Sequence, residues 1–128
     1  MDRRRLVAAC AGDGHRRGVY YLGRDQKKKV KVPLTTIDIL AAELGLQRVD
    51  FIKMDIEGAE KAVLRGAAKT IRRHHPRMAI ASEHLPDDVT AIPRTVNAIW
   101  SGYHLRPSSC KDAFLSITPE VLLFQPES

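Results

Sequence analysis

A chain of 128 residues with 44% hydrophobic content has room for one core and is too apolar for a disordered tail. Its apolar runs are far too short to span a bilayer, and the basic start Met1-Asp2-Arg3-Arg4-Arg5 lacks the apolar stretch of a signal peptide. The net charge of +6 leaves open an anionic partner or simply a solvated basic surface.

The basic residues fall in three runs: Arg3-Arg4-Arg5, Lys27-Lys28-Lys29 with Lys31, and Arg72-Arg73-His74-His75. None is interleaved with the aromatic residues on which a single-strand binder stacks bases, and no recognition-helix motif is present. Nucleic acid and membrane are therefore not expected partners. The two cysteines, Cys10 and Cys110, lie far apart and read as ordinary thiols of a reducing compartment, so a cytoplasmic location is expected.

In chain order, residues 6–11 form an apolar run that suits a buried strand, and Gly12-Asp13-Gly14 reads as a turn. Residues 19–22 and 30–32 are further strand candidates. The spacing of Ile37, Leu40, Ala41 and Leu44 predicts a helix over residues 35–44. Thr35 with Asp38 resembles a capping box, and Gly45 ends the helix. Residues 49–54 suit a central parallel strand. A helix is predicted over residues 59–73, with Gly66 inside it and His74-His75-Pro76 stopping it. Residues 78–82 read as a strand. Val89, Ile92, Val96, Ile99 and Trp100 mark a last helix starting near Pro93. Residues 103–106, 113–117 and 121–124 read as strands, the terminal ones as an antiparallel hairpin. Alternating helices and strands predict an α/β fold with a mostly parallel sheet.

The chemistry concentrates in residues 49–60, V-D-F-I-K-M-D-I-E-G-A-E. Lys53, Asp55, Glu57 and Glu60 surround the C-terminal end of the predicted strand, where open parallel sheets bind ligands. A carboxylate there can orient a hydroxyl, accept its proton or hold a cation, and Gly58 allows a tight turn. The next strand ends in Glu83-His84, and chain neighbours in such sheets tend to lie side by side. A histidine beside carboxylates is a reasonable general base for an alcohol. A charged turn that caps a helix, and a histidine satisfied at the surface, would account for the same letters. His15, His74, His75 and His104 read as surface residues.

The string F-I-K-M-D-I-E-G-A-E, followed by V-L-R-G-A and P-R-M-A-I-A-S-E-H, resembles the FkbM-type methyltransferases. V-P-L-T-T-I-D-I-L upstream and Gly102-Tyr103 downstream support the likeness, which runs from residue 6 to the C-terminus. The resemblance implies a partial Rossmann-like class I methyltransferase fold. It implies S-adenosylmethionine as methyl donor and a small-molecule acceptor, the hydroxyl of a sugar or natural product. O-methylation would pass the methyl group from sulfonium to oxygen in one displacement, the protein aligning the partners and deprotonating the hydroxyl. By the same resemblance Asp55, Glu57, Glu83 and His84 are catalytic, Asp55 and Gly58 touch the cofactor, and Lys53 and Glu60 orient the substrate. Asp55, Glu57 and Glu83 are donors that suit Mg²⁺, yet carboxylate turns are common without metal, and none is expected.

The sequence also departs from that family. Its members begin with a strand and a glycine-rich turn for the methionine part of the cofactor, then an acidic residue for the ribose. Neither is found here: Gly12-Asp13-Gly14 with Gly18 lacks the G-x-G-x-x-G spacing. Met1 reads as following the first two β-α units. The expected organisation is one domain over residues 1–128, the C-terminal part of a methyltransferase domain. Residues 1–34 would be a strand and hairpin region, and residues 35–128 the α/β core. The strand at 49–54 would then have an unpaired edge, so a homo-oligomer, or dependence on the missing N-terminal half, is expected. The competing reading is a truncated, non-catalytic remnant that serves as an interaction module.

Overall fold

A computed structural model describes residues 34–108, 110–113 and 116–127. The strands expected at 6–11, 19–22 and 30–32, the Gly12-Asp13-Gly14 turn, the first two basic runs, His15 and Cys10 lie outside the described residues.

The first helix, α1, spans Ile37–Glu43. Thr36, not Thr35, caps it: the Thr36 hydroxyl accepts the Ile39 N–H at 3.0 Å. Its C-terminus closes with Gly45 at φ 60, where the Gly45 and Leu46 N–H groups reach back to the Ala42 and Ala41 carbonyls. That is the paired closure a left-handed glycine permits. Asp38 has other work than a capping box. Its carboxylate accepts the Lys69 and Thr70 N–H groups and the Thr70 hydroxyl, at 2.7–3.0 Å.

This explains why the helix predicted over residues 59–73 is two helices, α2 (Glu60–Arg65) and α3 (Ala68–His74). Ala67 offers α3 no side-chain cap, so Asp38 supplies one from α1. The chain breaks at Gly66, whose carbonyl accepts the Asp38 N–H at 3.0 Å. The two helix starts thereby satisfy each other's orphan groups. α3 ends as expected, with His75 at φ 44 before Pro76. His75 is not a bare surface residue, since its ring stacks on Trp100 at 3.8 Å.

Strand β1 (Phe51–Met54) and strand β2 (Arg77–Ala81) pair in parallel, with Met54 opposite Ile80. Helix α4 (Asp88–Ile99) begins five residues before Pro93, because Asp87 and Asp88 open it. Strand β3 (Tyr103–Pro107) follows, then a separate hairpin of β4 (Cys110–Ala113) and β5 (Ser116–Pro119), then β6 (Val121–Pro126). The single strand expected at 113–117 is thus divided between β4 and β5. Cys110 is exposed and free.

The described main sheet has the order β1-β2-β6-β3 and is mixed, which corrects the mostly parallel expectation. β1 and β2 are the parallel hydrogen-bonded pair, joined by the α2–α3 crossover, and α4 carries the chain from β2 past β6 to β3. β6 enters between β2 and β3 and is antiparallel to both. Alternation puts Ile52, Met54, Met78, Ile80, Leu122 and Phe124 on one face, where they meet Val63, Leu64, Ile71, Ile92 and Val96 of the helices. On the other face Phe51 and Leu123 are exposed. Among the described residues β1 stands at the sheet edge rather than in its centre, and no helix is long and apolar enough to cross a membrane.

Candidate active site at the parallel strand ends

The parallel register makes β1 and β2 leave the sheet at the same end, which brings residues 55–60 and 82–88 together. Ser82 pins the second exit: its N–H donates to the Glu120 carbonyl at 2.9 Å and its hydroxyl to the Pro119 carbonyl at 2.7 Å.

After β1 the chain reverses at Glu57 and Gly58, with φ of 58 and 95, and the Ala59 N–H reaches the Ile56 carbonyl at 3.4 Å. Two successive left-handed residues make a mirror-type tight turn, and the second needs glycine. A side chain added at Gly58 would also meet Leu85, 3.4 Å from the added carbon.

Glu60 opens α2 and folds back over this turn, its Oε1 accepting the Ile56 N–H at 3.0 Å. The same Oε1 lies 3.0 Å from Nδ1 of His84. A carboxylate oxygen can only accept, so Nδ1 carries the proton and Nε2 is left as the outward nitrogen. Nε2 lies 3.4 Å from Oδ1 of Asp55 and 3.8 Å from Oε2 of Glu57. The cluster grades from inside to outside: Glu60 is fully buried, the His84 side chain is 14% exposed, and those of Asp55 and Glu57 are 59% and 60% exposed.

A second network fixes the loop that carries His84. Asp88 is fully buried; its Oδ2 accepts the Leu85 N–H at 2.8 Å and its Oδ1 pairs with Lys61 Nζ at 2.9 Å. Lys61 also donates to Asp87 at 2.7 Å. The hydrogen bond from Lys61 holds the exposed Asp87 carboxyl below its usual range and, in return, raises Lys61. Adjacent residues of α2, Glu60 and Lys61, therefore grip both ends of the 84–88 segment.

Of the residues singled out in the sequence, Asp55, Glu57, Glu60 and His84 meet in one cluster. Glu83 is exposed and stands outside that cluster, and Lys53 is exposed on the sheet face opposite Ile52 and Met54. Gly58 faces Leu85 rather than an open cradle. Lys61 and Asp88 are functional supports that sequence reasoning passed over. The available signal was the acidic pair 87–88 at a helix start, which reads as an ordinary turn without the partner lysine 27 residues away.

Residues 6–108 match the family model of the methyltransferase FkbM domain. The crystal structure of methyltransferase FkbM from Methylobacillus flagellatus KT is similar, with a TM-score of 0.55 and 26% identity over 73% of this chain and 23% of that chain. This chain therefore spans less than a quarter of that protein. No curated protein matches it. The family match takes in both strand ends and the whole Asp55–His84 cluster, and the chain belongs to the FkbM methyltransferase domain family.

Proposed function

We propose that this chain carries the acceptor-activating rim of an S-adenosylmethionine-dependent O-methyltransferase whose substrate is a hydroxyl of a sugar or natural product. The observation that carries the reading is His84, backed by a buried carboxylate and turned toward two exposed ones. Three Lewis-basic atoms converge on one point outside the strand ends. A hydroxyl seated there is oriented by Asp55 and Glu57, and the rim takes up its proton as the oxygen is methylated. Glu60 and the Lys61–Asp88 pair contribute rigidity, so the rim is arranged before the acceptor arrives.

Family members in general take their methyl group from S-adenosylmethionine. Among the described residues Asp55 at the rim is the group offered to that cofactor, while Leu85 lies against Gly58 and no glycine-rich turn follows a strand.

Calorimetric titration of the chain with S-adenosylhomocysteine tests the reading. The expected result is micromolar binding that weakens strongly in Asp55→Ala. Absence of binding at millimolar ligand would overturn it for this chain and favour the non-catalytic interaction module.

A further inference from the structure

We propose that Asp55, Glu57 and His84 form a binding site for one divalent cation of intermediate hardness, of the manganese or zinc class, with Glu60 as the carboxylate behind the histidine ligand. The role of such a cation in acceptor activation rests on the methyltransferase reading; its binding does not.

The distances carry the first argument. Oδ1 of Asp55, Oε2 of Glu57 and Nε2 of His84 lie at 3.4 and 3.8 Å across the histidine, with all ligand atoms within 4.8 Å of one another. Charge-assisted hydrogen bonds close to about 2.7–2.9 Å, so these contacts are too long to be good ion pairs. The 3.4 Å separation matches two ligands of one ion, and the 3.8 Å one would close slightly as Glu57 joins it. With bonds of about 2.1 Å, ligands at a right angle stand roughly 3.0 Å apart and at a tetrahedral angle roughly 3.4 Å. Side-chain exposures of 59% and 60% at Asp55 and Glu57 leave further coordination positions open to an incoming hydroxyl.

Glu60 supplies an independent observation. It is fully buried, one oxygen faces Nδ1 of His84, and the other, Oε2, is buried with no hydrogen-bond partner among the described residues. A buried carboxylate with unmet acceptor capacity is costly unless a positive charge lies close. Lys61, the nearest lysine in sequence, is tied to Asp87 and Asp88. A cation on Nε2 would polarise the ring and place positive charge at the Nδ1–H that Glu60 accepts. Ligating histidines commonly donate their second nitrogen to a carboxylate in this way.

Ligand chemistry sets the class. One imidazole and two carboxylates lie between the all-oxygen sets of Mg²⁺ and Ca²⁺ and the thiolate sets of soft metals. A hydroxyl joining these ligands would be acidified by the ion, which accounts for an acidic rim on a chain of net charge +6.

The test is calorimetric titration of the full chain with Zn²⁺, Mn²⁺ and Mg²⁺, without cofactor. Paramagnetic broadening of the His84 ring protons by Mn²⁺ locates the ion. One site per chain is expected for Zn²⁺ or Mn²⁺. Affinity should fall at least ~100-fold in Asp55→Asn and His84→Gln, and about 10- to 100-fold in Glu60→Gln. His74→Gln and His104→Gln should leave it unchanged. Asp55 is exposed, so Asp55→Asn keeps the fold, and circular dichroism checks this. Failure of both ions to bind at millimolar concentration, or binding indifferent to Asp55→Asn, would overturn the site; equal affinity for Mg²⁺ would overturn the metal class. Metal binding without S-adenosylhomocysteine binding would sink the methyltransferase reading alone, and the reverse would sink the cation alone.

Discussion

Asp38 commits both carboxylate oxygens to a helix that starts 30 residues later. It accepts two N–H groups and one hydroxyl from Lys69 and Thr70, while its own N–H donates to Gly66. Thr36 makes the ordinary local cap with a single hydrogen bond to Ile39. Removing a capping side chain costs about 0.5–2 kcal/mol. Asp38→Ala is expected at the upper end, about 2 kcal/mol, because three donors lose their acceptor at once. Thr36→Ala is expected near 1 kcal/mol. Urea unfolding of the two variants checks the order, and an Asp38→Ala cost no greater than that of Thr36→Ala would refute the shared cap. The same residue marks a limit of sequence reading. T-T-I-D announces a helix start correctly, but the spacing test looks only along one turn and assigns Asp38 to the wrong helix. His84 is the opposite case: the rim histidine was legible, because a strand ending in Glu-His follows one ending in Met-Asp. Its contact with Glu60 was not, since that depends on α2 starting one residue after a mirror-type turn.

At the scale of elements, the β1–α2–α3–β2 crossover was readable because apolar periodicity and parallel pairing are local consequences of one pattern. The break between α2 and α3 and the insertion of β6 beside β2 were not, because both are decided by distant partners. Tyr103 ties one such distant pair. Its hydroxyl donates to the Pro76 carbonyl at 2.8 Å, and its ring meets Trp100 and Phe124 edge-on. Burial pushes its phenol up to about 12. The folded state therefore holds the proton over a range where the unfolded chain, titrating near 10, has lost it. The stabilisation is complete below the unfolded value and declines as pH rises through the folded one. Tyr103→Phe is expected to lose about 1 kcal/mol at neutral pH, the hydrogen bond to Pro76. Between roughly pH 10 and 12 the wild type should fall toward the variant. Urea midpoints of both proteins across this window decide it; parallel curves would show that Tyr103 does not ionise on unfolding.

For the molecule as a whole, the consequential feature is the edge at β1. Among the described residues β1 pairs with β2 on one side, Phe51 is 53% exposed on it, and Leu40 of α1 and Leu44 at its C-terminal cap are 43% and 63% exposed. The sequence spacing puts Ile37, Leu40, Ala41 and Leu44 on one helix face, and of these Ile37 packs against the buried core cluster. An edge strand carrying a large apolar residue is a template for further pairing unless charge or proline blocks it. Lys53 gives the edge one charge on the same sheet face as Phe51, separated by a single residue. We expect the chain to associate with itself, with sedimentation velocity showing a mean mass that rises with protein concentration. Phe51→Lys should lower that mass toward the monomer while leaving the melting transition within about 0.5 kcal/mol, the usual range for an exposed position. The argument requires both effects together. Association unchanged in Phe51→Lys would move the contact away from β1, to the exposed leucines of α1 and its cap or elsewhere, and a monomer at every concentration would mean that the edge is already protected. If the association is through β1, the rim at Asp55, one residue beyond that strand, sits at the margin of the contact, and the oligomeric state becomes a property of the candidate site as well as of the fold.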